Sequence, residues 1–247
     1  MRILLALALF LLPALHAAEP ACFELRTYHA AEGKLDALQS RFRDHTVALF
    51  TKHGMTNVAY WVPKENTGQT LVYLLAYPDR AARETSWKAF LADPVWQAAK
   101  AESEKSGKLV TKVESLFLHL TDYSPKLPIA AGKAPRVFEM RVYTTNSGKL
   151  TTLDTRFREH TVALFAKHGM TNLPYFHLDE GQPGADTTLL YFLAHDSVEA
   201  QKASFDAFRA DPDWIAVRDA SEKDGKILID QGVASTLLEA TDYSPVK

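Results

Sequence analysis

Apolar and polar side chains alternate along several short segments of the chain, which is the pattern of β-strands with one buried face. In FELRTYH (residues 23–29), the phenylalanine, leucine and threonine point to one side, and the glutamate, arginine and tyrosine point to the other. Residues 34–53 instead place apolar side chains three and four positions apart, which predicts a helix with one buried stripe. The further predicted elements are strands at 56–62, 70–77 and 113–120, and a second helical region after Pro78-Asp79 that Asp93-Pro94 interrupts.

The predicted order is therefore strand, helix, strand, strand, helix, strand. This is the ferredoxin-like βαββαβ arrangement, an α+β fold in which an antiparallel sheet carries both helices on one face. The other face of such a sheet needs a partner to cover it.

The whole pattern occurs twice in the chain. Residues 23–57 and residues 138–172 align without a gap, and 23 of the 35 aligned positions are identical. We therefore predict two domains, at 22–125 and 137–247, joined by a linker at 126–136. The simplest arrangement packs the two sheets face to face within one chain, as a pseudo-dimeric α+β barrel. Pairing between chains is the alternative, and further homo-oligomers remain open.

The N-terminal residues have the pattern of a cleaved signal peptide. Arg2 precedes an apolar run, residues 3–15, that is too short to span a bilayer, and small residues follow it. Residues 1–18 are therefore expected to be removed during export, which leaves a periplasmic or secreted protein with no membrane association. An anchor that is never cleaved is the alternative. The single cysteine, Cys22, allows no internal disulfide in that oxidising destination.

Composition excludes some classes of partner. The chain has 28 lysines and arginines against 30 aspartates and glutamates, and no basic run stands out. That balance argues against nucleic acid and anionic membranes as partners. No HExxH, CxxC, glycine-rich phosphate loop or GxSxG motif is present, so neither a metal site nor a cofactor is predicted.

The polar face of the first strand supplies the candidate binding site. If the two sheets meet, this face lies between them together with strand aromatics, a mixture that is typical of small-molecule pockets. The arginines would bind a carboxylate through a bidentate fork, or form internal ion pairs with the neighbouring glutamates. The candidate ligand-binding residues are Glu24, Arg26, Tyr73 and His119 in the first domain and Glu139, Arg141 and Tyr191 in the second.

Tyr28, Tyr143 and His195 are the candidate acid–base residues. A phenol beside a guanidinium can donate or accept a proton, although tyrosines on strands more often only pack. His195 stands where the first repeat has Tyr77, so the copies are not equivalent. Either a symmetric ancestral site survives in one half, or the copies have drifted since the duplication.

His45 and His160 lie on the predicted apolar stripe of the first helix in each domain. Each is expected to be a hydrogen-bonded core histidine, or alternatively a proton shuttle or haem ligand.

A combination of motifs resembles the NIPSNAP family. The motifs are FELRTY, GKLDAL, KHG, YWV and ADPVW, and they recur as FEMRVY, GKL, KHG and ADPDW, so the resemblance covers nearly the whole mature chain twice. The family is similar to the dimeric α+β barrel group, which includes small monooxygenases and haem-degrading enzymes. The resemblance implies that fold. For members in higher cells it also implies mitochondrial association and protein interaction, which the export signal does not fit.

We therefore expect an exported protein that binds a small, partly apolar molecule between its two sheets. Oxidase- or isomerase-type chemistry on that molecule is the finer expectation. The alternative is a non-catalytic structural or protein-interaction module, in which the polar face only holds the two sheets together.

Overall fold

The computed structural model describes residues 20–125 and 136–247. The expected signal peptide lies outside the described residues, and so does the expected linker except for its last residue. The first half contains strands β1 to β4, helices α1 to α4 and one π-helical segment. In order these are β1 (Cys22–Ala30), α1 (Leu35–Arg41), the π-helix (Phe42–Thr46), α2 (Val47–Lys52), β2 (Thr56–Pro63), β3 (Thr70–Tyr77), α3 (Arg80–Ala92), α4 (Pro94–Ser103) and β4 (Val110–Leu120).

The second half repeats the same elements. They are β5 (Val137–Thr145), α5 (Leu150–Arg156), a π-helix (Phe157–Thr161), α6 (Val162–Lys167), β6 (Thr171–Leu178), β7 (Thr188–His195), α7 (Val198–Ala210), α8 (Pro212–Ser221) and β8 (Leu228–Ala240). The predicted break between the last two helices of each half falls at Asp93 and Asp211, whose carboxylates accept hydrogen bonds from the backbone N–H groups of Val95 and Asp213. Each aspartate therefore caps the helix that follows it.

The eight strands form one closed antiparallel barrel in the order β1-β3-β2-β8-β5-β7-β6-β4. The two halves meet at two seams, where β2 pairs with β8 and β4 pairs with β6. The predicted α+β fold, two ferredoxin-like units forming an intramolecular pseudo-dimeric barrel, is confirmed.

The barrel interior is apolar and filled by side chains from both halves. Trp61 is fully buried and its ring stacks on Phe192 with the centroids 5.0 Å apart, and Phe23 meets Phe176 edge-on at 5.2 Å. Leu25, Leu74, Leu118, Phe138, Leu178, Leu190 and Leu238 belong to the same cluster. The space between the two sheets is therefore a packed core, and the prediction of a ligand site there was wrong.

A second and a third apolar cluster lie between the sheet and the helices of each half. The π-helical turn changes which residues of the first helix join them. The extra residue in this turn shifts the buried stripe, so Thr46 and Thr161 point inward while His45 and His160 are exposed. Neither histidine is a core residue. The prediction was wrong because it assumed an uninterrupted α-helix.

The last residues of each half cross onto the other half. Ser244 accepts a hydrogen bond from the backbone N–H of Tyr60, and Ser124 accepts the equivalent bond from Tyr175, each at 3.0 Å. Nearby, Arg43 forms a two-pronged ion pair with Asp242, and Arg158 forms one with Asp122. These exchanges tie the halves together outside the barrel seams. In the described ranges, no helix is long and apolar enough to cross a membrane.

Candidate functional site

The polar face of the first strand lies under the helices in each half, and not between the two sheets. Glu24 and Arg26 contact side chains of α3, and the apolar residues Phe23 and Leu25 on the opposite face fill the barrel. The alternation was predicted correctly, but it does not say which face the helices cover. The predicted location of this face was therefore wrong.

In the first half, one buried carboxylate organises the polar face. Glu24 is 0 % exposed and accepts hydrogen bonds from five side chains. The donors are Arg26, Arg83 (Nε at 2.9 Å and Nη2 at 2.7 Å), Ser115 (2.6 Å), Tyr77 (3.2 Å) and Trp87 (3.1 Å). Burial by itself raises the pKa of Glu24, but the hydrogen bonds from Arg83 and the charge of Arg26 outweigh it and lower the pKa to about 2. The group is a carboxylate at neutral pH.

The second half builds the same centre from different residues. Glu139 accepts hydrogen bonds from Arg141, Ser235 (2.6 Å), His195 (3.0 Å) and Gln201 (3.2 Å). Burial raises the pKa of Glu139, while the hydrogen bond from His195 and the charge of Arg141 lower it to about 2 overall. The carboxylate can only accept, so His195 donates from Nε2. Its buried Nδ1 has no hydrogen-bond partner.

Each arginine also donates to two tyrosines. Arg26 donates from Nε to Tyr73 at 2.9 Å and from Nη2 to Tyr28 at 3.4 Å. Arg141 repeats this geometry with the phenol oxygens of Tyr191 at 3.0 Å and Tyr143 at 3.1 Å. Burial raises the pKa of Tyr73 and Tyr191 well above the ordinary value, so both stay protonated phenols.

His119 is the one predicted site residue that lies apart from both networks. It is exposed at the β4–β6 seam, where its Nδ1 is 3.0 Å from Asp179 and its ring is 5.7 Å from that of His177. The structure therefore places the other predicted residues in two separate buried clusters, one in each half. It does not bring the two clusters into one pocket.

The first half has a cleft of about 350 Å³ between its helices and its sheet. Exposed Leu91 and Val113 lie at its edge, and Arg41, Lys100, Lys108 and Glu104 supply the charged part of its lining. Its walls are strongly aromatic: Tyr28, Phe42, Phe50, Trp87, Phe90 and Trp96. Of the predicted acid–base residues, Tyr28 reaches this cleft.

The charged groups of the cleft are unequally paired. Arg41 donates from Nη1 to Glu104 at 3.0 Å, and the same carboxylate pairs with Lys100. Lys108 makes no ion pair with the described part of the chain. One carboxylate therefore serves two cations, and a third cation is left over.

The second half carries different residues around the corresponding place. Phe205 stands for Trp87, and Arg209 stands for Leu91. Lys226, which stands for Lys108, is paired with Asp230 at 3.1 Å. The aromatic and apolar edge found in the first half is thus interrupted by a charged side chain.

A larger cavity, of about 670 Å³, lies where the two halves meet near Lys64, Asp196 and Glu239. The described residues of its lining mix both signs of charge and include no aromatic side chain. Ligand pockets are mostly apolar with a few placed polar groups, which fits the smaller cleft better. No group of three or more histidine, cysteine, aspartate or glutamate side chains among residues 20–125 and 136–247 could hold a metal ion.

Sequence reasoning missed the helix residues that complete the buried networks. Arg83 and Gln201 occupy equivalent positions in α3 and α7, and neither was predicted to contact the strand glutamates. A comparison of the two repeats could have indicated the first-half residues. Positions 77, 83 and 87 all differ from their counterparts in the second half, and all three contact the same carboxylate.

Comparisons with known proteins agree with this architecture. The family model described as NIPSNAP matches residues 23–125 and 138–245. None of the curated proteins matches at a significant level. A solved NIPSNAP domain protein from Burkholderia xenovorans is 25% identical, and the match covers 42% of this chain and 99% of that one with a TM-score of 0.38.

Two solved structures match over both halves. A protein provisionally assigned as a monooxygenase from Lactobacillus acidophilus is 12% identical with a TM-score of 0.55, over 90% of this chain and 94% of that one. Another provisionally assigned monooxygenase, from Fusobacterium nucleatum, is 12% identical with a TM-score of 0.56, over 90% and 93%. At this identity the likeness concerns the fold alone. The two family matches together span most of the chain, so the protein belongs to the NIPSNAP family and contains two NIPSNAP domains in tandem.

Proposed function

We propose that the first half of the protein binds a small, partly apolar molecule in the aromatic cleft between its helices and its sheet. The observation that carries this proposal is the lining of the cleft. Six aromatic side chains and two exposed aliphatic ones surround a space of about 350 Å³, with a few charged groups on one side. That size and composition match the pockets that proteins use for small organic ligands.

The buried Glu-Arg-Tyr networks have a structural role in this proposal. Every hydrogen-bonding group of Glu24 is already occupied by protein donors, and the guanidinium of Arg26 is shared among Glu24, Tyr28 and Tyr73. A ligand carboxylate would have to displace these partners from a fully buried position. The networks therefore hold the helices on the sheet and give the cleft a rigid floor.

Tyr28 is the residue that links the network to the cleft. Its phenol accepts a hydrogen bond from Arg26, and its side chain lines the space that a ligand would fill. A phenol in this position can donate a proton to a bound ligand or accept one from it. If the cleft supports oxidase- or isomerase-type chemistry, Tyr28 is its acid–base group, whereas Tyr143 and His195 serve the packing of the second half.

Binding can be tested with Nile red, a neutral dye whose fluorescence rises in apolar surroundings. Leu91 is 55 % exposed, so Leu91→Gln should fold normally while removing apolar surface from the edge of the cleft. Covering half a leucine side chain contributes on the order of 1 kcal/mol, so the variant should bind the dye about five-fold more weakly.

The matched control is Val95→Gln. Val95 is similarly exposed but does not line the cleft. If both variants bind Nile red equally well, or if the wild-type protein does not bind it, the proposed site is wrong.

We further propose that the protein is exported after removal of residues 1–18. The supporting observation is the short apolar run behind Arg2, followed by small residues. N-terminal sequencing of the protein purified from the periplasm or the medium tests this. A mature chain that still begins at Met1, or that stays in the cytoplasm, contradicts it.

A further inference from the structure

We infer that the molecule bound in this cleft is a singly charged organic anion with a flat, apolar body, such as an aromatic carboxylate. Its charged end would lie against Lys108 and Lys100. This inference rests on the proposed function, since it names the chemical class of ligand for the same cleft.

The charges in the lining favour an anion. Arg41, Lys100 and Lys108 contribute three positive charges and Glu104 contributes one negative charge, so the lining has a surplus of two positive charges. Glu104 is engaged by Arg41 and Lys100. Lys108 has no acidic partner in the described residues, and a charge without a partner beside a low-dielectric wall attracts an anion.

The aromatic walls favour a flat body. Trp87 cannot offer its N–H to a ligand, because that group already donates to Glu24 at 3.1 Å and to Tyr77 at 2.8 Å. Phe42, Phe50 and Phe90 have no polar groups to offer. These three phenylalanines are each 1 % exposed, so the ring surface open to a ligand is that of Tyr28 and of the exposed parts of Trp87 and Trp96, on which planar apolar molecules pack well.

The available donors favour a single charge. Arg41 is the only guanidinium in the lining, and its side chain is 3 % exposed and already donates to Glu104 and Ser103. Both of these hydrogen bonds come from Nη1, and Nε is buried without a partner among the described residues, so burial and not occupancy keeps the fork away from a ligand that needs bidentate binding, such as a dianionic phosphate. Two flexible lysines, which act as point charges, are left to meet the ligand.

The second half provides an internal comparison. Lys226 corresponds to Lys108 but is paired with Asp230, and Arg218 corresponds to Lys100 but is paired with Asp219 at 2.7 Å. The surplus of positive charge is thus neutralised there by acidic residues that the first half lacks. This makes the first half the one suited to an anion.

The test uses two probes that differ only in charge, 2-naphthoate and its neutral amide, 2-naphthamide. Isothermal titration calorimetry on the full chain should find naphthoate bound about two- to five-fold more tightly, the range expected for a solvent-accessible ion pair. Lys108→Gln should reduce this preference without changing the affinity for the amide, because only Lys100 is then left to meet the charge. Raising the salt concentration should also reduce the preference, because exposed charges are screened.

Lys226→Gln is the matched control and should leave both affinities unchanged. The inference is overturned if the amide binds as tightly as naphthoate, or if Lys226→Gln has the same effect as Lys108→Gln. Failure of the proposed function is distinguishable. If Leu91→Gln leaves both probes unaffected, the cleft is not the binding site at all. If Leu91→Gln weakens both probes but the wild-type protein binds them equally tightly, the site is retained and only the charge preference is removed.

Discussion

Replacing the buried carboxylate of the first half tests whether the polar networks hold the helices on the sheet. Glu24→Gln keeps the shape of the side chain and removes its charge. The same substitution at Glu139 is the matched comparison, because both carboxylates lie at the same place in their halves and both are 0 % exposed.

The expected cost follows from the pKa values and the partners. Each carboxyl has a pKa of about 2 in place of the ordinary 4.5, which corresponds to a stabilisation on the order of 3 kcal/mol per group. Breaking a buried ion pair by removing one partner typically costs about 3–5 kcal/mol. In the first half, Glu24→Gln leaves two arginines, Arg26 and Arg83, without their carboxylate, and Arg83 had bound it through two nitrogens. We therefore expect the free energy of unfolding to fall by about 4 kcal/mol for Glu24→Gln and by about 3 kcal/mol for Glu139→Gln.

Urea unfolding followed by far-ultraviolet circular dichroism measures both costs. A second substitution tests whether part of this cost comes from the unpaired charge of Arg83. Arg83→Gln copies Gln201 of the other half, so adding it to Glu24→Gln should recover about 1 kcal/mol of the free energy of unfolding. A loss below about 1 kcal/mol in either single variant would show that the networks do not hold the fold together. Further destabilisation by Arg83→Gln would show that the unpaired charge of Arg83 does not account for part of the cost of Glu24→Gln.

Three further outcomes are expected. The depressed pKa values of Glu24 and Glu139 stabilise the fold above pH 4.5, so the free energy of unfolding should fall as the pH drops from about 4.5 towards 2. Glu24→Gln should reduce that fall, and an unchanged acid slope contradicts this. Trp61→Ala leaves a cavity at a fully buried position in the barrel and should lower the free energy of unfolding in urea by about 3–5 kcal/mol. A much smaller loss would show that the barrel interior is loosely packed. The exposed Lys64–Glu239 pair at the β2–β8 seam should give a coupling of only about 0.2–1 kcal/mol in a double-mutant cycle, and a value that does not decrease with added salt argues against a surface ion pair.

The element order and the barrel could be predicted because local patterns determine them. The alternation in FELRTYH, the interruption at Asp93-Pro94 and the repetition of the whole unit each have one structural interpretation. The sheet faces could not be assigned in the same way. Glu24 and Arg26 were assigned to a face that needed a partner sheet, whereas Glu24 pairs with Arg83 and Arg26 lies over the ring of Trp87, both on a helix for which the sequence pattern predicted no contact with the strand.

The inward position of Thr46 was unpredictable for a related reason. A helical stripe is read at a fixed period, and the π-helical turn adds one residue that shifts the stripe by one position. No composition or spacing signal in FRDHT announces that turn. Its presence in both halves is explained by common descent, and the threonine hydroxyl supports it by donating to the backbone oxygen of Arg41 at 3.1 Å.

The differences between the halves fall into two groups with different physical constraints. Around the buried carboxylates, tyrosine, arginine and tryptophan in the first half become histidine, glutamine and phenylalanine in the second. These changes are coupled, because each replaces a group that contacts Glu24 or Glu139, and a buried carboxylate must keep its donors.

At the cleft no such constraint applies. Leu91 and Arg209 are both exposed, and neither is needed to satisfy a buried group. The change at this position, and the acidic partners that neutralise Lys226 and Arg218, therefore reflect freedom at the surface. A duplicated domain can lose a ligand site in this way while its buried network keeps the frame intact. That is why we expect ligand binding in one half of a molecule whose two halves share one fold.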